Sequence, residues 1–363
     1  MKKQIRTLLL TSLFIYGVTL ALATSTMNEN PFKLTTELSL TRSFSSEIQQ
    51  FWDNNAISAD FQGIDDKKIH TVSITTGNNK VVVISQGRNE SVLKYKELAY
   101  DFHQQGYDIF LIDHRGQGFS ERFGGDQHRG YVVDFQDYVD DFNQYVTSLA
   151  LDKKYQHRYL LSHSMGGAII ALYLQQYKNP FQASVFFSPM FSINLGILPT
   201  FLAKLITHTS AEICSWFTEK ACYIPNGNGY SPSKFNGNHL THSKMRFYSS
   251  QNEFETFPET QLGDATMRWV ATSLSATEQV IENAKKINTP ILILQAGSDK
   301  VVTDDGQKAF FKNVTDCKFN KFFNITGAKH EILLESDEFR LTALNHTLQF
   351  LADIEQGKLT CIK

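Results

Sequence analysis

From Ile69 to Ser188 the chain alternates short apolar runs with amphipathic stretches. Ile69–Ile74 switches between apolar and polar side chains as a strand with one wet face does. Lys80–Ser85, Asp108–Asp113 and Ala183–Ser188 are instead continuous apolar runs, the pattern of strands covered on both faces. Between them lie a helical pattern over Val92–Gln105, stopped by Gly106, and another over Val133–Leu151. The alternation lapses after Pro189 and resumes with the strand Pro290–Gln295, a helix over Asp304–Lys312, the strand Lys318–Ile325 and a last helix over Phe339–Ile354. Strands separated by helices imply a mostly parallel central sheet with helices on both faces, an α/β fold. The interval 190–276 is aromatic and irregular, with a Gly/Asn-rich patch at Asn226–Gly229, and reads as an inserted cap. The expected organisation is therefore core residues 65–189, cap 190–276 and core 277–363. The preceding segment, 24–64, is polar and partly mobile to about Gln50, then anchored by Phe51, Trp52 and Phe61.

The N-terminus has a separate logic. Lys2, Lys3 and Arg6 precede an apolar run from Leu8 to Leu22 that ends in Ala21-Leu22-Ala23. That is the plan of a secretory signal peptide over residues 1–23, cleaved after Ala23; a retained single membrane anchor is the alternative. Export, to the periplasm or beyond, gives meaning to the even set Cys214, Cys222, Cys317 and Cys361. The expected pairs are Cys214–Cys222 and Cys317–Cys361, against four free buried thiols. With 363 residues, a net charge of −2 and 20% charged residues, the chain has no basic excess to suggest a nucleic-acid partner.

The chemistry centres on Tyr159-Leu160-Leu161-Ser162-His163-Ser164-Met165-Gly166-Gly167. A short apolar strand, an abrupt turn at Ser164 and a helix entered through two glycines make a nucleophile elbow, which lifts the serine hydroxyl above the sheet. Positions flanking the turn must be small: Gly166 obeys, and Ser162 stands where glycine is usual. A serine needs a base to take its proton and an acid to orient that base, from loops after later strands. His330, in Thr326-Gly327-Ala328-Lys329-His330-Glu331, is the base. Asp299, in Ala296-Gly297-Ser298-Asp299, is the acid, with Asp304 or Asp305 as the alternative. Two backbone N–H groups should receive the oxyanion: Met165, directly after the nucleophile, and Arg88, after Gly87. The Arg88 side chain would either meet a phosphate headgroup or stand as a solvated loop charge. His163 is expected to pack away from Ser164, His114 and His128 to be loop residues near the mouth, and Arg115–Gly118 to buttress the site. No metal-ligand spacing is present and no cofactor is expected.

Together with Leu240-Thr241-His242-Ser243 and Arg246-Phe247-Tyr248, these segments resemble the bacterial lysophospholipases related to monoacylglycerol lipase, in the α/β-hydrolase superfamily. The resemblance implies the Ser164, Asp299 and His330 triad, the Met165 and Arg88 oxyanion donors, and a lysophospholipid or monoacyl ester substrate taken at a membrane or micelle surface. Phe191, Phe201, Trp216, Phe217 and Trp269 are the candidate acyl-chain contacts in the cap. A monoacylglycerol lipase, general carboxylesterase or acyltransferase could use the same triad, and a non-catalytic lipid-binding module is the alternative outside enzymes. Ser162 and the signal peptide depart from the family's pattern.

Overall fold

The computed structural model describes residues 30–357 apart from 42–44, 315, 316 and 318. The signal peptide expected over residues 1–23 and Cys361 lie outside the described residues. In chain order the main elements are α1 (Ser45–Asn55), β1 (Ile57–Gln62), β2 (Lys68–Ile74), β3 (Lys80–Ser85), α2 (Lys96–Gln104) and β4 (Tyr107–Ile112). There follow α3 (Gln136–Leu149), β5 (His157–His163), α4 (Met165–Gln176), β6 (Ala183–Phe187), α5 (Thr200–Phe217) and α6 (Lys244–Thr256). The chain continues with α7 (Met267–Glu282), β7 (Ile291–Ala296), α8 (Asp304–Asn313), β8 (Lys321–Ile325) and α9 (Asp337–Glu355).

The eight strands form one sheet in the order β1-β2-β4-β3-β5-β6-β7-β8. β1 and β2 pair antiparallel, as do β2 and β4, and every later pairing is parallel. The sheet is buried on both sides, which explains the unbroken apolar runs. Val81 and Val83 face one core with Phe142 of α3, Ile169 of α4 and Phe310 of α8. Val82 and Ile84 face the other with Phe102 of α2 and Leu344 and Phe350 of α9. α4 lies directly behind the sheet and is apolar all round, as a helix walled in on every side must be.

Several expectations need correction. Trp52 is buried, as expected of an anchor, but the segment before it is not simply polar: α1 occupies part of it, Leu34 is buried, and β1 adds an unexpected edge strand. Both were obscured because short polar-rich elements owe their form to the partner they dock on rather than to periodicity. The expected helix 92–105 opens with a 3₁₀ turn at Val92–Tyr95. The cap interval is irregular over 218–243, as expected, but also carries α5, α6 and the start of α7, and the boundary expected at 276/277 falls inside α7. Cys214 and Cys222 form a disulfide, as expected. Cys317 is disulfide-bonded as well, and no described cysteine is free.

A buried ionic cluster fastens the cap to the core. Arg246 of α6 donates to Glu97 of α2 at 2.9 Å, to the Glu335 carbonyl at 2.7 Å and to Asp337 at 3.0 Å. Arg340 of α9 donates to Asp101 at 2.7 Å, and Thr35 donates to Glu97 at 2.5 Å, drawing in the N-terminal segment. Burial alone would raise the Glu97 carboxyl, but the two guanidinium charges hold it down to about 2. Removing one partner of such a cluster strands the others in low dielectric. Arg246→Ala should therefore cost about 3–5 kcal/mol of stability in denaturant unfolding; a loss below about 1 kcal/mol would show that the cluster is not a structural anchor.

Candidate active site

The nucleophile position follows from local sterics. Ser164 has φ 49° and ψ −118°, a region that L-residues avoid and that needs surrounding restraint. The restraint is visible. The Ser164 N–H donates to the Phe187 carbonyl at 3.1 Å, and its carbonyl accepts from Gly167 and Met190, both at 2.9 Å. A Cβ on Gly166 would lie 2.1 Å from the Ser85 carbonyl oxygen, so only glycine lets α4 approach β3. Ser162 is accommodated because its hydroxyl donates to the Val185 carbonyl on the neighbouring strand, at 3.3 Å.

β5, β7 and β8 end on the same edge of the sheet, with β6 between the first two, and their following loops bring three of the predicted residues together. His330 Nε2 lies 2.9 Å from Ser164 Oγ, and His330 Nδ1 lies 2.7 Å from Asp299 Oδ2. Asp299 Oδ1 accepts from the Val301 and Val302 N–H groups at 2.8 and 3.1 Å, which fixes the carboxylate's direction. Burial would raise this carboxyl, yet the His330 hydrogen bond and charge and the two backbone donors hold it below its ordinary value. An ionised Asp299 requires the proton on Nδ1, leaving Nε2 to accept from the serine hydroxyl. Asp304 instead pairs with Lys308, so the alternative acid is elsewhere engaged.

Met165 is the first residue of α4, where an N–H has no acceptor within the helix. Arg88 follows β3 on the same rim. The Gly87–Arg88 peptide is oriented by a residue absent from the predicted site: Gln117 Nε2 donates to the Gly87 carbonyl at 2.7 Å. In a trans peptide the N–H points opposite the carbonyl, so Gln117 aims the Arg88 N–H. The sequence signal was present in Arg115–Gly118, a loop expected to buttress; Arg115 does so through a two-pronged ion pair with Asp141 at 2.6 and 2.8 Å.

Other expectations fail instructively. The Arg88 side chain is not a solvated charge: Nη2 donates to the carbonyls of Gly263 and Asp264 at 3.0 and 2.8 Å, and the guanidinium stacks over Trp269. His114 is buried under the rim on Ser85 Oγ, and burial holds its pKa down to about 3. His163 is more than packing. Its Nδ1 faces Glu90 Oε1 at 3.0 Å and its Nε2 faces the His330 carbonyl at 3.2 Å. Both nitrogens thus meet acceptors, which defines an imidazolium; burial opposes this, and the Glu90 charge prevails, raising the pKa. Of the cap aromatics, Trp269 lines the cavity beside Ser164, whereas Phe191 belongs to the core against Phe310. Phe201, Trp216 and Phe217 face outward, 67%, 76% and 82% exposed.

The cavity above Ser164 measures about 480 Å³. Met190, Leu262, Phe247 and Trp269 supply apolar walls, while Asn228, Tyr230, Ser231, Ser233 and Gln251 line another part with hydroxyls and amides.

A wound parallel sheet carrying this hydrogen-bonded serine, histidine and aspartate at its carboxyl edge is the arrangement of a serine-type ester hydrolase of the α/β-hydrolase class. The chain belongs to the Hydrolase_4 family (serine aminopeptidase, S33), which matches residues 76–337. It is 36% identical to lysophospholipase L2 of Escherichia coli over 84% of this chain and 89% of the relative. It is 33% identical to the probable lysophospholipase L2 of Haemophilus influenzae over 78% of this chain and 87% of that one. A soluble variant of the monoglyceride lipase of Saccharomyces cerevisiae, solved with a substrate analogue, shares the fold at TM-score 0.64 and 18% identity, over 83% and 96% of the two chains. These likenesses bear out the family expected from the sequence.

The tight approach of α4 to β3 yields a sharp test. Gly166→Ala should abolish activity, because the new methyl meets a main-chain oxygen that cannot yield. Retention of even a tenth of wild-type ester hydrolysis would show that the elbow is looser than this geometry requires.

Proposed function

We propose that this protein is a lysophospholipase that hydrolyses the fatty-acyl ester through an acyl-enzyme on Ser164. The observation that carries the reading is the unbroken Asp299–His330–Ser164 hydrogen-bond chain opening into a cavity with both apolar and polar walls. The lysophospholipase L2 relatives support the substrate class. Ser164 Oγ attacks the ester carbonyl carbon as its proton passes to His330 Nε2. The carbonyl electrons move onto oxygen, which the Met165 and Arg88 N–H groups receive. Collapse expels the glycerophospho-alcohol, protonated by His330, and leaves acyl-Ser164. Water then attacks with its proton going to His330; Ser164 departs, regains that proton, and the fatty acid is released.

A monoacylglycerol lipase is the second reading, favoured by the uncharged character of the Asn228–Ser233 wall and Gln251. Ser164→Ala should abolish both lysophospholipid hydrolysis and fluorophosphonate labelling, and Asp299→Asn should lower kcat by about 10⁴-fold, as in other Ser-His-Asp enzymes. Turnover surviving Ser164→Ala would refute the mechanism. Equal rates on one acyl chain with and without the phosphate headgroup would replace the lysophospholipid reading by the monoacylglycerol one.

The site is also proposed to work at a lipid surface outside the cytoplasm. The Cys214–Cys222 disulfide supports an oxidising compartment. Among the described residues no helix is long and apolar enough to cross a membrane. α5 instead turns Phe201, Leu205, Ile213 and Trp216 outward on one side, next to the exposed Ile197. Such a face suits an interfacial helix. Replacing Phe201, Leu205 and Trp216 together by serine should weaken co-sedimentation with phosphatidylethanolamine–phosphatidylglycerol vesicles by at least about tenfold, since each such side chain contributes on the order of 1.5–3 kcal/mol when fully buried. Hydrolysis of a soluble short-chain ester should be unchanged. Unaltered vesicle binding would dismiss this face.

A further inference from the structure

The loop carrying the Arg88 N–H is held unevenly. On its inner side the ties are all to the core: Glu90 Oε2 accepts from the Gly87 N–H and from Tyr95 Oη, both at 2.6 Å, and Gln117 Nε2 donates to the Gly87 carbonyl. Asn89, with φ 60°, gives the loop a left-handed turn that asparagine tolerates better than most residues. On its outer side Arg88 reaches across to the cap. Its Nη2 spans the Gly263 and Asp264 carbonyls, and its guanidinium lies 5.0 Å from the centroid of the Trp269 ring. That cap segment is itself set in place, with Gly263 N donating to the His128 carbonyl at 2.8 Å and Thr266 Oγ1 to the Gly130 carbonyl at 3.0 Å. Among the described residues Arg88 is in no ion pair; its half-buried guanidinium meets two carbonyl dipoles through Nη2 and a ring face, while its Nε has no hydrogen-bond partner.

We infer that the Arg88 side chain is a positioning element that couples the cap segment Gly263–Trp269 to the oxyanion-binding peptide Gly87–Arg88. The inference rests on the acyl-enzyme reading above and adds a condition to it: the N–H donor is correctly aimed only while the cap is seated. Gln117 holds the backbone on both sides of Arg88, donating to the Gly87 carbonyl at 2.7 Å and accepting from the Asn89 N–H at 3.3 Å, and the cap, through the Arg88 side chain, adds a restraint at the Arg88 Cα between them. If the cap lifts to admit a lipid, the two carbonyl bonds break and the peptide loses its outer restraint, keeping only those of Glu90 and Gln117. Chemistry then waits for the cap to return, and Trp269 belongs both to the cavity wall and to the tie.

The test compares wild type, Arg88→Ala and Arg88→Lys on full-length protein, with p-nitrophenyl acetate, a monoacylglycerol and a lysophospholipid of one chain length, and a fluorophosphonate probe. Arg88→Ala keeps the backbone donor but loses the tie. Its kcat should fall roughly 10–100-fold on all three substrates, the range expected for a donor displaced rather than deleted. KM should barely move, and the labelling rate should fall in parallel. Arg88→Lys, which cannot bridge two carbonyls and lie flat on Trp269, should stay low. If Arg88→Ala does not fold, as judged by thermal melting, Arg88→Lys and Trp269→Leu carry the same kcat comparison. Loss confined to KM for the lysophospholipid, restored in Arg88→Lys, would make Arg88 a headgroup anchor and overturn the coupling. Unchanged kcat throughout would overturn it too, showing a loop rigid without the cap. Failure of wild type to take the probe would sink the acyl-enzyme reading itself, and the coupling with it; wild-type labelling without lysophospholipid turnover would touch only the substrate assignment.

Discussion

One backbone conformation governs this molecule. Ser164 sits where an L-residue is strained, and it stays there because neighbouring elements leave it no relaxed alternative. The clamp has parts from β6, from the first turn of α4 and from the Met190 segment. Each part constrains sequence in turn. β5 must be flanked on both sides by parallel strands, so its central residues, Tyr159–Leu161, are apolar and buried. α4 must lie almost against β3, so it begins with glycines and carries no polar face. The strain is thus supported by burial of the sheet's centre, where the core is deepest, and the reactive hydroxyl emerges at the edge with little freedom to turn aside.

Around that turn the charges are arranged in two layers. The working layer runs from Asp299 through His330 to Ser164, with the carboxylate kept ionised by its hydrogen bonds. Behind it lies a supporting layer of Glu90, Lys94, His163 and Glu331. The two imidazoles, with ring centroids 4.9 Å apart, have opposite duties. His330 keeps Nε2 open to accept a proton. His163 has both nitrogens facing acceptors and serves as a fixed cation that grips the His330 backbone. The same Glu90 carboxylate holds the Gly87 N–H, so base and oxyanion loop are referenced to one buried anion.

What could be read from the sequence divides along a physical line. The buried strands and α4 were legible because both faces of each are covered, so their composition answers to burial alone. The triad was legible because topology puts strand ends on one rim, and a glycine-bearing loop after each strand marks the place. β1 and α1 were not legible: they are short, mostly exposed, and take their form from docking. Nor were Gln117 and His163, whose roles depend on which atom faces which acceptor across long sequence separations. The cap misled for a related reason. Its aromatics look equivalent in sequence, yet Trp269 faces the cavity, Phe191 the core, and Trp216 the solvent.

The three orientations of those aromatics show how one insertion can serve two media. A lipid ester must leave a bilayer or micelle and enter a site where water is scarce enough for a serine–histidine pair to react. In the proposed function the exposed apolar side of α5 would meet the first environment, and the inward side of α7 walls the cavity that forms the second. The two helices pack on one another and α7 rests on α4, so the cap is continuous from its exposed face to the helix that carries the nucleophile. Arg246 binds another cap helix, α6, to α2 and α9 through buried charge, while Arg88 binds the start of α7 by two neutral carbonyls and a ring. Charged pairs in low dielectric resist separation far more strongly than single hydrogen bonds to carbonyls do. The Gly263–Trp269 segment has further neutral ties to the His128 and Gly130 carbonyls, so α6 is anchored to the core by buried charge and the start of α7 by hydrogen bonds to carbonyls and by packing of Trp269.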